Sequence, residues 1–383
     1  MPLEINHIKM IRFSRGIRIN RLGTGTVIFQ KISQYKGRIM KEDRGKLSII
    51  GCKSGRRFSA RICRELERMF QRKNEEIYTL SVPIREHVFP NGEVKTVIHQ
   101  PIRGGDVYVV QCAIDPTCRR SVNDNLMALL TAINAAHQSD ADSITAVLPY
   151  FPYSRQERKK TREGITASQV ARFLEESGVD RVITLDIHAE AIAGFFTRAT
   201  LDDLHASKVL IDAFTNLYAK EQDLGELVVV SPDVGSAGRA RFFSNKLGTD
   251  MAIADKERDY SAGGNIVSIR LVGDVYKKDV LIVDDLIDTG GSIANAVKLL
   301  KEKGARDIYV AASFTFLNQP AVQRLSDLHA THDLKFVIGT DAVHRGKQFC
   351  QKYPWYREVS VATLFAEVIY RINRKKSVSE MLR

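Results

Sequence analysis

From about residue 47 onward, short apolar runs alternate along the chain with stretches in which apolar residues recur every three or four positions. The first pattern predicts buried strands and the second predicts amphipathic helices. Five runs predict strands: Val107–Gln111, Ser143–Leu148, Arg181–Leu185, Leu227–Val230 and Val280–Val283. Helical spacing is clearest in two sets: Leu126, Leu129, Leu130 and Ile133, and Ile293, Ala296, Val297 and Leu300. Strands that alternate with helices favour parallel sheets covered by helices on both faces.

Two of the predicted helices carry start and stop signals. One is predicted to begin at Thr166, where Gln169 would complete a capping box, and to stop at Gly178. The other is predicted to begin at Ser292 and to stop near Gly304.

The alternation occurs in both halves of the chain, which predicts two similar α/β domains. A length of 383 residues agrees with this, because domains commonly hold about 100–200 residues. We place a basic extension at residues 1–46, one domain at 47–200 and the other at 201–383. The last helix could pack back on the first domain.

Polar residues that can bind metals follow three of the predicted strands. Asp186 and His188 come after one strand, Asp233 after the next, and Asp284 and Asp285 after a third. Ligands bind beyond the carboxyl ends of strands in sheets of this kind. The sequence therefore predicts one cleft in which these side chains meet.

The segment from Asp288 through Thr289, Gly290 and Gly291 to Ser292 has the composition of a phosphate-binding loop. Glycines allow backbone N–H groups to approach an anion, and the start of the following helix adds unpaired N–H groups. The neighbouring carboxylates would face sugar hydroxyls or Mg²⁺, because they repel phosphate. The alternative is a plain helix start with Asp288 as its cap. A Walker A loop is excluded, because no Gly-Lys-Ser/Thr follows.

Charge is distributed unevenly along the chain. Residues 1–46 contribute +8 of the net charge of +12, from eleven basic and three acidic residues. The body is thus mildly basic, which suits a protein that binds small phosphates. Nucleic-acid binding is not expected of the body, although the extension could add it.

The rest of the composition argues against several protein classes. The sequence contains five cysteines: Cys52, Cys63, Cys112, Cys118 and Cys350. They form no C-x-x-C pair, which argues against a zinc ribbon and favours reduced thiols in the cytoplasm. No apolar run is long enough for a membrane span, and no secretory signal is recognised at the start.

Residues 280–292 resemble the signature that binds phosphoribosyl pyrophosphate (PRPP) in phosphoribosyltransferases and PRPP synthases. Four further stretches resemble the ribose-phosphate pyrophosphokinases, also called PRPP synthases: 89–93, 149–167, 186–196, and 231–240 together with 255–258. The resemblance extends from about Ile50 to about Arg371. It implies two tandem phosphoribosyltransferase-like domains, each a mainly parallel sheet flanked by helices.

The resemblance also implies roles for individual residues. The expected ATP contacts are Phe89, Asn91, Glu93, Arg155, Gln156, Arg158 and His188. The expected ribose 5-phosphate contacts are Asp284, Asp285, Asp288, Thr289, Gly290, Gly291 and Ser292. The expected Mg²⁺ ligands are His188 and Asp233, and the expected catalytic residues are Lys256, Arg258 and His188.

The resemblance implies that the protein transfers a diphosphoryl group from ATP to ribose 5-phosphate, with Mg²⁺ as cofactor. It also implies a cytoplasmic protein that assembles as a homo-oligomer, namely a hexamer. Asn91, Glu257 and a short loop between Arg158 and Ile165 depart from the family pattern. Two alternatives stay open: a non-catalytic regulatory relative of the synthases, and a phosphoribosyltransferase, which needs no ATP site.

Overall fold

The computed structural model describes residues 44–75, 80–218, 224–259, 265–379 and 381, with the backbone alone at 255–259 and 265–269. The predicted extension therefore lies almost wholly outside the described residues. Among the helices that the structure describes, none is long and apolar enough to cross a membrane.

The first half of the chain forms a six-stranded sheet whose paired strands all run parallel, in the order β2-β1-β5-β6-β7-β8. A separate antiparallel hairpin, β3–β4, packs against α2, where the hydroxyls of Thr96 and Thr131 lie 3.1 Å apart. The elements are β1 (Leu47–Gly51), α1 (Arg56–Arg72), β2 (Ser81–Val82), β3 (Ile84–Val88), β4 (Val94–Ile98), β5 (Asp106–Val110), α2 (Val122–His137), β6 (Ser143–Val147), α3 (Thr166–Glu176), β7 (Arg181–Leu185) and β8 (Thr200–Leu204).

The second half forms a seven-stranded sheet in the order β11-β10-β9-β12-β13-β14-β15, parallel except for the pair β10–β11. Its elements are α4 (Ser207–Tyr218), β9 (Leu227–Ser231), α5 (Ala237–Leu247), β10 (Asp250–Asp259), β11 (Asn265–Val272), β12 (Asp279–Ile287), α6 (Gly291–Glu302), β13 (Ile308–Thr315), α7 (Ala321–Ala330), β14 (Phe336–Thr340), α8 (Lys347–Lys352), β15 (Tyr356–Val359) and α9 (Ala362–Asn373). The predicted fold of two α/β domains is confirmed.

Burial explains why β5 and β9 were recognisable from the sequence, whereas β13, which is equally buried, was not predicted. Every residue of β5, β9 and β13 is buried, as expected for parallel strands with helices on both faces. All five cysteines are free thiols, also as expected. The chain passes from the first sheet to the second between β8 and β9, because β8 still pairs with β7.

The capping box predicted for α3 is wrong. The helix begins at Thr166 as predicted, but Thr166 is its first helical residue, and Ile165 precedes it without a side-chain cap. The predicted stop is correct. Gly178 has φ +104°, and a Cβ there would lie 2.8 Å from the ring of His137, so a larger residue would meet both strain and a clash.

The last helix packs against the first domain. The rings of Phe365 on α9 and Phe58 on α1 meet edge to face, with their centroids 5.2 Å apart. The Asn373 side chain donates to buried Asp106 at 3.0 Å. One cluster of buried apolar side chains includes residues of both halves, so the two sheets share a core.

Candidate active site

A cavity of about 920 Å³ lies along the carboxyl ends of strands from both sheets. Its walls come from the segments that follow β6, β7 and β8 in the first half and β9 and β12 in the second. A pocket at this place in α/β sheets is where ligands bind, and its polar walls suit a charged ligand.

The predicted phosphate loop forms one wall of the cavity. All of Asp288, Thr289, Gly290, Gly291 and Ser292 line it. Gly290 has φ +72°, a conformation that favours glycine, and it precedes α6 without any side-chain cap. The alternative of a helix start capped by Asp288 is therefore wrong, and the first turn of α6 opens into the cavity.

Neighbouring side chains hold this loop from outside. The Arg324 side chain donates to the backbone oxygen of Thr289 at 2.9 Å. The Asn318 amide donates to Oδ1 of Asp288 at 2.8 Å. Arg155 of the first domain donates to Oδ2 of the same carboxylate at 2.8 Å, across the cavity. The loop is thus fixed by both domains before any ligand arrives.

Asp284 and Asp285 lie inside strand β12, whereas the sequence placed them beyond its end. The strand continues to Ile287 because β13 remains paired with it as far as Thr315. Burial, the charge of Asp285, a hydrogen bond that the protonated Asp284 carboxyl donates to the Asp285 carboxylate, and the charge of Asp233 raise the pKa of Asp284. Ionising both carboxyls is therefore unfavourable, and a bound cation or hydroxyl donors would favour the doubly ionised pair.

His188 links the two domains at the cavity floor. Its Nδ1 lies 2.8 Å from Oδ2 of Asp285. This hydrogen bond is the main reason that the pKa of His188 is raised. Burial is the largest single influence and opposes ionisation of Asp285, but the hydrogen bonds with His188 and Asp284 and the charge of Arg239 together lower the pKa of that carboxyl.

Buried Asp186 supports the cavity from behind. It follows β7 with φ +39°, an unusual conformation for a residue with a side chain. Its carboxylate accepts from the Ser313 hydroxyl, from the Ala206 backbone N–H at 3.1 Å and from His205, and it pairs with Arg239 at 3.1 Å. Burial alone would raise the pKa of Asp186, but Arg239 and the hydrogen bonds hold it at about 2.

Comparison with known proteins gives a consistent result for both halves. The N-terminal domain of ribose phosphate pyrophosphokinase matches residues 47–178, and a phosphoribosyl transferase domain matches residues 199–350. A ribose-phosphate pyrophosphokinase from Chlorobaculum tepidum is 43% identical over 76% of this chain and 84% of its own length. The chain belongs to the ribose-phosphate pyrophosphokinase family.

Further relatives agree with this family membership. A ribose-phosphate pyrophosphokinase from Gloeobacter violaceus is 42% identical over 79% of this chain and 86% of its own. The crystal structure of phosphoribosylpyrophosphate synthetase from Mycobacterium smegmatis superposes with a TM-score of 0.73 at 32% identity. That superposition covers 86% of this chain and 98% of the other.

The donors expected for Mg²⁺ suit the ion only in part. His188 and Asp233 both line the cavity. Among the described residues, no group of three His, Cys, Asp or Glu side chains is assembled to hold a metal. Mg²⁺ nevertheless binds commonly through one or two carboxylates together with phosphate oxygens and water. The residues present therefore fit an ion that arrives with a phosphorylated ligand.

Some of the ATP-binding residues expected in a ribose-phosphate pyrophosphokinase do not line this cavity. Arg155, Arg158 and His188 do. Gln156 does not, and its backbone N–H is bonded to the Tyr153 oxygen at 2.9 Å. Neither do Phe89, Asn91 and Glu93, which lie at the tip of the β3–β4 hairpin.

The expected catalytic residues Lys256 and Arg258 lie on strand β10, and their side chains are outside the described part of the structure. Conversely, the reasoning from sequence assigned no site role to several polar cavity residues, among them Asp203, His205 and Ser236, and it noted Arg239 only within the resembling stretch 231–240. A signal existed for the first two, because they stand at the carboxyl end of β8. That strand was overlooked because Asp202 and Asp203 interrupt its apolar pattern.

Proposed function

We propose that this protein transfers the β,γ-diphosphoryl group of ATP to the C1 hydroxyl of ribose 5-phosphate, which gives PRPP and AMP. One observation carries the proposal: the phosphate loop of the second domain and Arg155, Arg158 and His188 of the first domain line a single cavity. A phosphoribosyltransferase would need only the loop. Membership of the ribose-phosphate pyrophosphokinase family supports the same reaction.

Each group of residues has a distinct role in the proposal. The loop 288–292 binds the 5-phosphate through backbone N–H groups and hydroxyls. Asp284 and Asp285 accept from the ribose hydroxyls and so orient C1 toward the nucleotide. Arg155 and Arg158 donate to the polyphosphate of ATP. Such transfers depend mainly on positioning and on stabilising charge, which are what these residues provide.

Mg²⁺ is the proposed cofactor, held by His188 and Asp233 together with phosphate oxygens. When bound, it neutralises charge on the polyphosphate. We further propose that Lys256 and Arg258 stabilise the migrating diphosphoryl group. A location in the cytoplasm is also proposed, in keeping with five free thiols.

The hairpin tip suggests that the active site is completed by a second copy of the chain. Phe89 is 38% exposed, packs against His87 and does not line the cavity. An exposed aromatic residue at the tip of a hairpin can contact a neighbouring molecule. We therefore propose a homo-oligomer, a hexamer, in which Phe89, Asn91 and Glu93 contact ATP bound to a neighbouring subunit.

The direct test is to incubate the purified protein with ATP, Mg²⁺ and ribose 5-phosphate and to measure AMP and PRPP. Equal amounts of both products are expected, with no product when ribose 5-phosphate is omitted. The variant Asp285→Asn is the matched control, because it removes a proposed ribose contact without changing side-chain size. Absence of AMP from the wild-type protein would refute the proposal and favour the regulatory relative.

A further inference from the structure

Helix α1 carries the whole net positive charge of the chain beyond the basic extension. It contains six arginines and two glutamates, a net charge of +4, and no lysine. Residues 1–46 contribute +8 of the total of +12, so +4 remains for residues 47–383. The rest of the body is thus neutral on balance, and its mildly basic character comes from this one helix.

The arginines of α1 form a stripe along one face of the helix. Positions three or four apart share a face, and five arginines have this spacing: Arg57, Arg61, Arg64, Arg68 and Arg72. The opposite face packs on the core through its buried apolar residues: Phe58, Ile62, Cys63, Leu66 and Phe70. Because each residue adds about 1.5 Å, this arginine stripe is about 22 Å long and faces away from the core.

Most of the arginine stripe is not neutralised by neighbouring carboxylates. Arg61 pairs with buried Asp341. Arg68 pairs with Glu65 at 2.5 Å, but its side chain is 62% exposed, where such a pair contributes little. The other three are exposed and have no ion-pair partner among the described residues: Arg57, Arg64 and Arg72. The stripe therefore presents positive charge to solvent along its length.

The stripe does not stabilise the helix that carries it. Like charges three or four positions apart repel each other. Arg56 and Arg57 also lie at the positive end of the helix dipole, with no acidic residue in the first turn. A polyanion bound along the stripe would relieve both kinds of repulsion.

The basic extension joins the body beside the C-terminal end of the stripe. The Arg44 backbone N–H donates to the oxygen of Asn373, at the end of α9, at 2.8 Å. About one turn earlier on α9, the Tyr370 ring packs edge to face against Phe70 of α1, with the centroids 5.6 Å apart. The Lys73 ammonium, which follows α1, lies 3.8 Å from the centre of the same Tyr370 ring. The segment of charge +8 therefore continues into the body next to the helix of charge +4.

The stripe fits the phosphate backbone of a nucleic acid. Guanidinium groups bind phosphate oxygens through two parallel hydrogen bonds. At about 3.4 Å per nucleotide, about six stacked nucleotides would span the stripe. A second copy of the chain cannot cover it with the same face, because like charges would meet. A helix that lies in a membrane surface shows apolar side chains beside its cations, and none of the large exposed apolar residues of the described chain lies on α1.

We propose that the arginine stripe of α1 binds the phosphate backbone of nucleic acid, independently of base sequence, and that the basic extension adds further contacts. The body was not expected to do so, because its net charge is small, but the structure concentrates that charge on one face. No arginine of the stripe lines the active-site cavity, so this surface is separate from the proposed reaction and does not depend on it. Contacts to phosphates carry no base information, so single-stranded RNA and DNA should bind alike.

Three variants of the full-length chain, each lacking three positive charges, test the proposal. The stripe variant combines Arg64→Gln, Arg68→Gln and Arg72→Gln, because glutamine favours a helix about as well as arginine. The matched control removes exposed cations from α3, from α6 and from the end of α6: Arg172→Gln, Lys298→Gln and Lys303→Gln. The extension variant combines Arg12→Gln, Arg15→Gln and Arg18→Gln.

The measurement is fluorescence anisotropy of a labelled oligouridine RNA and a labelled oligothymidine DNA, both longer than the stripe, over a series of salt concentrations. At low salt the stripe variant should raise the Kd for both about tenfold or more. It should also reduce the slope of log affinity against log salt by about 2, which is about 0.7 for each lost phosphate contact. The control variant should raise the Kd less than about threefold, and the extension variant should fall between the two. Melting temperatures should stay close to wild type in all three.

Three results would overturn the proposal. The first is an RNA affinity of the stripe variant equal to that of the control variant. The second is wild-type binding to phosphatidylserine vesicles as tight as to RNA, which would assign the stripe to membranes. The third is a change in light scattering of the stripe variant without nucleic acid, which would place the stripe between subunits.

Discussion

At the scale of single residues, buried carboxylates organise the segments around the cavity. Glu175, at the end of α3, accepts from three successive backbone N–H groups, those of Thr197, Arg198 and Ala199, at 2.8, 2.6 and 2.8 Å. Burial would raise the pKa of Glu175, but these bonds outweigh it and lower the pKa to about 2. The carboxylate fixes the turn that leads into β8, on which His205 depends.

Stability should therefore depend on pH through Glu175. Its pKa in the folded protein lies below the ordinary value of 4.5, so its contribution is complete above pH 4.5 and is lost as the pH falls toward 2. At pH 7, Glu175→Gln should lower the free energy of unfolding by about 2–3 kcal/mol. Urea titrations at pH 7, 5 and 3.5 should show that the difference in free energy of unfolding between Glu175→Gln and the wild type becomes smaller as the pH falls. A difference that is independent of pH would contradict this.

A second prediction for single residues concerns Lys256, the proposed stabiliser of the migrating group. Lys256→Ala should lower kcat by about a hundredfold or more while changing the KM for ATP less than threefold, because the interaction is made mainly in the transition state. The control is Lys298→Ala, which removes a lysine from α6 outside the cavity. Equal losses in kcat and in ATP binding would refute the role.

At the scale of elements, several buried strands were predicted from the sequence, whereas fully buried β13 and the mixed strand β8 were not. β7 was predicted with its observed bounds, because four of its five residues are buried and three of them, Val182, Ile183 and Leu185, are apolar. The extension of β12 to Ile287 was not, because pairing with β13 outweighs the polar character of Asp284 and Asp285. The capping of α3 was mistaken because caps depend on how the preceding loop enters the helix.

The phosphate loop offers a test at the same scale. A Cβ on Gly290 would lie 3.3 Å from Ala321, at φ +72°. Gly290→Ala should therefore raise the KM for ribose 5-phosphate about tenfold or more, because the strained backbone shifts its N–H groups away from the phosphate. The matched control is Gly248→Ala at the end of α5, with φ +68° and open space around it. Like Gly290→Ala, Gly248→Ala should lower the free energy of unfolding by about 1 kcal/mol, but it should leave kcat and KM unchanged. Equal kinetics in both variants would refute the role of the loop backbone.

At the scale of the whole molecule, the two sheets share a core, so we expect them to unfold as one unit. The Phe365 side chain on α9 is fully buried against α1 of the first domain. The hydrogen bond of Asn373 to Asp106 adds a polar contact in the same region. The cavity is therefore built between two sheets whose relative position is fixed by packing elsewhere.

Phe365→Ala should lower the free energy of unfolding by about 3–5 kcal/mol, the usual cost of removing a buried phenyl ring. Phe173→Ala, in which the ring is 44% exposed on α3, is the control and should cost much less. Wild-type unfolding in urea should show one transition, reported alike by circular dichroism and fluorescence. Two separate wild-type transitions would contradict the shared core.

The proposed sharing of active sites between subunits predicts complementation. A Phe89→Ala variant and a Lys256→Ala variant should each be weakly active alone. After mixing, subunit exchange should restore part of the activity, because some sites then combine an intact hairpin with an intact Lys256. Light scattering before and after mixing provides the control for assembly. No gain in a mixture that has exchanged subunits would show that the hairpin does not act between copies.

The sequence by itself determined the alternation of strands and helices, the two α/β domains and the phosphate loop. These follow from local rules. Burial of a strand requires a run of apolar residues, and a glycine turn that precedes a helix presents backbone N–H groups to a ligand. The tertiary structure decided which strand ends share one cavity and which side chains support it. Asp186, His205 and Arg239 come from three different segments, and only packing brings them together. Contacts between distant segments depend on how sheets and helices pack, which no local pattern of residues encodes.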